Sequence, residues 1–359
     1  MKVAIAAGGT AGHVVPALAI ADALRAEGAE VEFFGGERAE AELVPAAGYP
    51  FHRLPVRGID RRNPLKALRA VALAVRATAR ARKLLREIGA DVAIGGGGYV
   101  AGPVGLAART LRLPLVLTEA DSHLGIANRL LARTAKRVFL AFPLDGREGG
   151  RYEVVGRPVP AGTLGADCAT ARERFGIGAD ERCLLVFGGS LGARTVNEAT
   201  LEAFGAAAPC AVLHACGQRD YDDLAQRLEE LGSPPHYHLH AYIQPFADAL
   251  AVADLTVARS GGSVFEVAAA GVPSILVPYP HATADHQTLN ARHIVAGGAA
   301  VVVADSELDG PRLAREVGAL LADESRLRAM GRAALSLARP NAAERIAREV
   351  LALGAEAGK

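Results

Sequence analysis

The residues best suited to chemistry gather around glycine-rich turns, and the first of these leads into His13. An apolar run from Val3 to Ala7 stops in Gly8-Gly9-Thr10-Ala11-Gly12 and restarts at His13 with a helical period, which reads as strand, turn, helix. Glycine permits positive φ and a close approach to the backbone, and the helix that follows offers unpaired N–H groups and the positive end of its dipole. That dipole end disfavours an imidazolium at His13 and keeps the ring able to accept a proton, so His13 is the candidate general base. The spacing is G-G-x-x-G rather than the dinucleotide G-x-G-x-x-G. The next strand closes on Phe33-Phe34-Gly35-Gly36 with no acidic residue to hold a ribose.

Three further turns repeat the arrangement. Asp91-Val-Ala-Ile enters Gly95-Gly96-Gly97-Gly98-Tyr99-Val100-Ala101-Gly102-Pro103, where four successive glycines imply a close approach to the backbone. Cys183 to Phe187 enters Gly188-Gly189-Ser190-Leu191-Gly192-Ala193, whose N–H groups and Ser190 hydroxyl suit a diphosphate, or in which Ser190 simply caps the helix. Leu255 to Ala258 enters Arg259-Ser260-Gly261-Gly262-Ser263-Val264-Phe265-Glu266. There Arg259 can pair with phosphate, and Glu266 either accepts two ribose hydroxyls or only matches the helix dipole. His281, Asp285, His286, Gln287 and Asn290 follow another strand and suit sugar hydroxyls.

Other chemistries find less support. Asp220-Tyr221-Asp222-Asp223 contains a D-x-D but reads as an acidic helix start, and His214, His236, His238 and His240 lack zinc spacing, so no metal site is expected. No G-x-S-x-G elbow is present. Cys168, Cys183, Cys210 and Cys216 form no C-x-x-C pair and read as reduced packing residues.

The elements that must carry these turns alternate strand and helix over 359 residues, enough for two domains. Gly156-Arg157-Pro158-Val159-Pro160 marks the boundary, after which the strand, turn, helix pattern restarts. Two such halves describe twin α/β, Rossmann-like domains with parallel sheets, facing a cleft. A capping-box-like start, Asn341 with Glu344, opens the last helix. A net charge of +1 argues against a general nucleic-acid partner. Basic residues concentrate between Arg57 and Glu87: Arg57, Arg61, Arg62, Lys66, Arg69, Arg76, Arg80, Arg82, Lys83 and Arg86 face only Asp60 and Glu87. With Leu65, Leu68, Ala72, Val75 and Ala79 at helical spacing, this is either a helix that lies on an anionic membrane or an ordinary solvated helix packed by its apolar stripe. The start lacks a signal-peptide core, and prolines at 273, 278 and 280 interrupt the uncharged run 267–284, so an intracellular protein without a transmembrane helix is expected.

Taken together, GGTAGH with Val14-Val15-Pro16, GGGGYVAGP at 95–103, GGSLGA at 188–193, RSGGSVFE at 259–266 and DHQ at 285–287 resemble, in one order, the MurG family of peptidoglycan N-acetylglucosaminyltransferases. The resemblance spans nearly the whole chain. It implies a GT-B fold with an acceptor and membrane-side domain at 1–158, a donor domain at 164–338 and the helix 341–354 returning to the first. It further implies an inverting transfer from UDP-N-acetylglucosamine to undecaprenyl-diphospho-muramoylpentapeptide at the cytoplasmic face of the membrane, through the basic helix at about 61–86, with no cofactor required. By the same resemblance Gly189, Ser190, Ile243, Arg259, Gly262, Ser263, Glu266, His286 and Gln287 bind the donor, and Thr10, Ala11, Gly12 and Asp121 meet it from the first domain. Gly97, Gly98, Tyr99, Glu119 and Asn128 bind the acceptor. Where the family usually has Gly, His-Glu-Gln-Asn and Gly-Asn-Pro-Val-Arg, this chain has Ala11, Thr118-Glu119-Ala120-Asp121 and Gly156-Arg157-Pro158-Val159-Pro160. Those departures raise the alternative of transfer to another lipid such as diacylglycerol; a non-catalytic nucleotide-sugar binder is a further reading, against which His13 and the basic helix argue.

Overall fold

A computed structural model describes residues 1–56, 64–189, 192–282 and 285–357. The chain divides into two compact units, Met1–Ala161 with Arg339–Lys359, and Gly162–Ala338. In the first, β1 (Lys2–Ala6), α1 (Ala11–Ala26), β2 (Glu30–Gly35), α2 (Ala39–Ala46), β3 (Phe51–Arg53), α3 (Pro64–Glu87) and β4 (Val92–Gly95) are followed by α4 (Ala101–Thr110), β5 (Leu115–Glu119), α5 (Ile126–Leu131), β6 (Arg137–Leu140) and β7 (Tyr152–Val154). The seven strands are parallel in the order β3-β2-β1-β4-β5-β6-β7. β1 is central and buried on both faces, which is why it reads as a continuous apolar run rather than an alternating one. β5 outlasts its apolar segment: Thr118 and Glu119 still pair with Phe139 and Leu140.

The second unit runs α6 (Cys168–Phe175), β8 (Cys183–Phe187), α7 (Arg194–Phe204), β9 (Ala211–Ala215), α8 (Tyr221–Glu230), β10 (Tyr237–His240), α9 (Phe246–Val252) and β11 (Leu255–Ala258). It continues through α10 (Val264–Ala269), β12 (Ser274–Leu276), α11 (His286–Ala296), β13 (Ala300–Val302), α12 (Gly310–Ala322) and α13 (Glu324–Leu337). Its parallel sheet is ordered β10-β9-β8-β11-β12-β13. Both sheets therefore reverse strand order beside their first strand, between β1 and β4 and between β8 and β11, and a crevice opens there at the carboxyl ends of the strands.

The chain returns to the first unit as α14 (Ala342–Ala357), which packs on α1 and buries Ile346, Ala347 and Val350 in the same core as Val3, Ile5 and Ile20. Gly156 (φ +86°) makes way for the return, since a Cβ there would stand 2.3 Å from Cβ of Arg339. Arg345 to Glu153 (3.0 Å) and Arg137 to Glu349 (2.7 Å) fasten α14 to the β6–β7 edge.

Several expectations change. In α3 the buried face is Ala77, Ala81 and Leu85, whereas Ala72, Val75 and Ala79 of the expected packing stripe face outward, Val75 at 66% exposure. Arg57, Arg61 and Arg62 of the basic segment lie outside the described residues, as do the side chains of Leu65, Lys66, Leu68 and Arg69. Cys168 is exposed rather than packed; the other three cysteines are buried. His214 is fully buried, its ring bonded to the Tyr237 hydroxyl (2.7 Å) and to Oδ1 of Asn197 (3.1 Å), and burial pushes its pKa down to about 3. Among the described residues no helix is long and apolar enough to cross a membrane, and no group of three or more His, Cys, Asp or Glu is arranged to hold a metal.

Candidate active site

All four glycine turns fall at the two strand-order reversals. In the first unit β1 runs into buried Gly8, then Gly9 at φ +109° and Thr10, the extended N-cap of α1. Against this turn lies the one after β4, with Gly97 at φ +86° and Gly98 at φ +71°. The two interlock closely: a Cβ on Gly98 would stand 2.0 Å from the Gly8 carbonyl oxygen, and one on Gly97 would stand 2.7 Å from Cδ2 of His13. Gly97 and Gly98 are thus the reason the His13 ring can sit where it does.

His13 Nδ1 lies 3.3 Å from Oγ1 of Thr10, and Nε2 lies 4.0 Å from Oδ2 of Asp121, with both side chains about one quarter exposed (24% and 25%). Asp121 follows β5, whose last residue, Glu119, organises the loop. The Glu119 carboxylate accepts from the N–H of Gly125 (2.9 Å), Nδ2 of Asn128 (3.0 Å) and the N–H of Asp121 (3.3 Å). Burial pushes the Glu119 pKa up to about 7 and the Asp121 charge adds to this, against the opposing hydrogen bonds from Gly125 and Asn128. Glu119 and Asn128 are both buried, so their side chains hold the loop that carries Asp121, and the loop supplies the exposed surface.

Two buried charges brace this arrangement, and sequence reasoning assigned neither a role. Arg157 donates to the carbonyls of Gly12 and Ala120. Gly12 needs such a donor because Pro16 has no N–H to close the helical bond back to it. On the other side the Glu40 carboxylate accepts from the N–H of Gly9 (2.8 Å), the N–H of Gly36 (2.9 Å) and the Tyr99 hydroxyl (3.1 Å). Burial alone would raise the Glu40 pKa, yet these donors outweigh it and hold the carboxyl below its usual range. Gly35 and Gly36 leave the room that this carboxylate and its partner fill: a Cβ on Gly35 would lie 2.6 Å from Cγ of Glu40, and one on Gly36 2.7 Å from the Tyr99 hydroxyl.

In the second unit Gly188 and Gly192 (φ +75°) are packed tightly, the latter against the Cys216 carbonyl, and Gly192 N–H closes the turn on the Gly189 carbonyl (2.9 Å). Gly189 (φ +100°) is exposed, and a Cβ on it would meet nothing within 4 Å among the described residues. Ser190 lies outside the described residues. The neighbouring turn is stitched to α11. Ser260 Oγ donates to the Gln287 carbonyl (2.8 Å) and Asn290 Nδ2 to the Ser260 carbonyl (3.1 Å), which brings Gln287 beside Gly261, 3.9 Å from its would-be Cβ. Gln287 Oε1 also accepts from the Tyr279 N–H (2.9 Å).

Gly262, Ser263, half-buried Glu266 and His286 share this edge. Ile243 follows β10 with its side chain in the core, leaving its backbone as its polar contribution. Arg259, expected as a phosphate partner, is buried and donates from one terminal nitrogen to Asp305 (2.5 Å) and to the carbonyls of Val277 and Pro278. It supports the turn from below, because a buried guanidinium is retained only when paired.

The glycosyltransferase family 28 N-terminal domain matches residues 3–140, and the glycosyltransferase family 28 C-terminal domain matches residues 183–346. A UDP-N-acetylglucosamine–N-acetylmuramyl-(pentapeptide) pyrophosphoryl-undecaprenol N-acetylglucosamine transferase from Moorella thermoacetica is 41% identical, covering 98% of each chain. The chain belongs to this family of N-acetylglucosamine transferases. Another member, from Aeromonas hydrophila, is 42% identical over 96% of this chain and 95% of its own. The crystal structure of Acinetobacter baumannii MurG superposes with a TM-score of 0.77 at 30% identity, covering 98% of this chain and 99% of that one. The fold is thus that of the GT-B glycosyltransferases, with two Rossmann-like α/β units, as the resemblance implied.

Proposed function

We propose that this protein transfers N-acetylglucosamine from UDP-N-acetylglucosamine to undecaprenyl-diphospho-muramoylpentapeptide in peptidoglycan synthesis. The observation that carries the reading is the near full-length match to transferases of that name, in a chain whose glycine turns stand at both strand-order reversals.

His13 Nε2 takes the proton of the acceptor hydroxyl, whose oxygen attacks the anomeric carbon. The bond from that carbon to the diphosphate breaks, and UDP leaves with the electron pair. Asp121, 4.0 Å away, faces the imidazolium that forms. The first unit presents Thr10, Ala11, Gly12 and Asp121 to the donor sugar. It meets the acceptor through the turn Gly97-Gly98-Tyr99 and the loop held by Glu119 and Asn128. In the second unit Gly189 and Ser190 receive the diphosphate, the Ile243 backbone the uracil, Glu266 the ribose, and His286 with Gln287 the N-acetylglucosamine. Gly262 and Ser263 line the same turn and Arg259 braces it. Backbone N–H groups and hydroxyls meet the charge that develops on the leaving group, so no metal enters this scheme.

The acceptor lipid places the work at the cytoplasmic face of the membrane. Val75 (66% exposed), Leu106 (47%), Ile126 (40%) and Leu130 (70%) lie on α3, α4 and α5, which pack in succession, with exposed Arg76, Arg80, Arg109 and Arg129 on the same helices and exposed Arg133 just past α5. Apolar side chains among arginines suit an anionic lipid surface.

Turnover of UDP-N-acetylglucosamine with a lipid I analogue tests the reaction. Wild-type protein should form the disaccharide product, and His13→Ala should lose about 100- to 10,000-fold in kcat with donor binding retained. Transfer to diacylglycerol instead, or UDP-sugar binding with no transfer to any acceptor, contradicts the proposal.

A further inference from the structure

Glu40 enters from the first turn of α2 and is fully buried. The three hydrogen bonds it accepts come from three separate segments: the end of β1 through Gly9, the end of β2 through Gly36, and the turn after β4 through Tyr99. A carboxylate withdrawn from water is stable only when its lone pairs are filled, and here the donors that fill them are the parts of the site that must keep register. The register is tight, because Gly98 lies flush on the Gly8 carbonyl and Gly97 lies under the His13 ring. Three glycines clear the space: a Cβ on Gly8, Gly35 or Gly36 would come within 3.0 Å of Glu40.

We propose that Glu40 is a positioning residue for the transfer reaction, locking the Gly8–His13 turn onto the Gly97–Tyr99 turn and so fixing His13 and Tyr99 relative to the acceptor. This rests on the transferase reading above. Glu40 touches no reacting atom in this scheme. Its effect falls on the geometry of the base and the acceptor contact, and leaves the donor-binding turns of the second unit unaltered.

Glu40→Gln tests this in the full-length protein. It keeps the size but turns one acceptor oxygen into an amide NH2, which must then face the N–H of Gly9 or of Gly36. Expected is a fall in kcat of about 100-fold, from displacement of the base, with the Kd for UDP, which in this scheme meets only the second unit, within about twofold of wild type. Hydrogen–deuterium exchange should quicken in segments 7–14 and 96–100 and stay unchanged in the second unit.

Gly36→Ala is the second variant. Its Cβ would stand 2.7 Å from the Tyr99 hydroxyl and 3.0 Å from Oε1 of Glu40, forcing the lock apart with its charge intact, and it should give the same split more weakly. It decides the matter if Glu40→Gln fails to fold. Two results overturn the proposal: kcat within about twofold of wild type in a folded variant, or exchange that quickens throughout both units with donor affinity falling in step, which is general loosening. If wild-type protein turns over no lipid I analogue, the transferase reading fails, and exchange at 7–14 and 96–100 still decides whether Glu40 holds the two turns.

Discussion

In the first unit the N–H of Gly9 is held by the Glu40 carboxylate, whereas in the second Gly189 is exposed, with open space at its Cβ position among the described residues. Both glycines follow the first strand of their sheet, both have φ near +100°, and both turns interlock with a neighbour through another glycine. A phosphate needs unpaired N–H donors. The first turn has given its donor to an internal anion, and among the described residues the second has not. The same fold device therefore serves two ends, holding a base and an acceptor surface in one unit and receiving a diphosphate in the other.

The largest effect that would test this contrast comes from alanine at the two kinds of glycine. Gly98→Ala puts a Cβ 2.0 Å from the Gly8 carbonyl at φ +71°. Overpacking against backbone together with strain should cost about 3 kcal/mol or more, lowering the first unit's unfolding temperature by about 6–12 °C. Gly189→Ala meets no atom of the described residues, so its expected cost is that of the positive φ, about 1 kcal/mol, and its main effect should be a raised KM for UDP-N-acetylglucosamine. Similar melting losses in the two variants would remove the distinction.

A subtler difference lies in Glu119, which the first unit keeps buried with its pKa pushed up to about 7 from the ordinary 4.5. The unfolded chain releases this proton near pH 4.5 and the folded chain near pH 7, so stability is lost as pH rises through that window. Replacing it by Gln should gain on wild type by about 3 kcal/mol between those limits in denaturant titrations at stepped pH. A gap that is flat with pH, or of opposite slope, would remove Glu119 as a buried acid.

The smallest effect belongs to the outward helices. Val75→Ser with Leu130→Ser should weaken sedimentation with anionic vesicles by about tenfold and leave the melting temperature unchanged, because both side chains are exposed. Equal binding would take these helices out of the membrane contact.

Much of this was legible in the chain. Largely apolar runs set the limits of β8, β9 and β11, because strands buried on both faces admit few polar residues, His214 and Thr256 being buried exceptions, and the glycine turn before α7 set its start. The site was legible where glycine marks a close approach, and His13 stood out by following one. Glu40 and Arg157 were not legible, because a single charge in Ala39-Glu40-Ala41-Glu42 or before Pro158 has no spacing to betray burial. Their partners are backbone groups that only the folded sheet brings together. The face by which α3 packs was not legible for a related reason. Ala77 and Ala81 are small and weakly apolar, so Val75 outranks them as a packing candidate in the sequence, while the fold buries small residues where α3 packs closely on α4.

The central claim, that nucleotide goes to the open turn and not to the one filled by Glu40, is tested most directly by hydrogen–deuterium exchange of the full-length protein with and without UDP. Slowed exchange in segments 185–193 and 258–266, with 5–13 and 93–100 unchanged, is the predicted result. Protection at 5–13 and 93–100 with the second unit unaffected would contradict it.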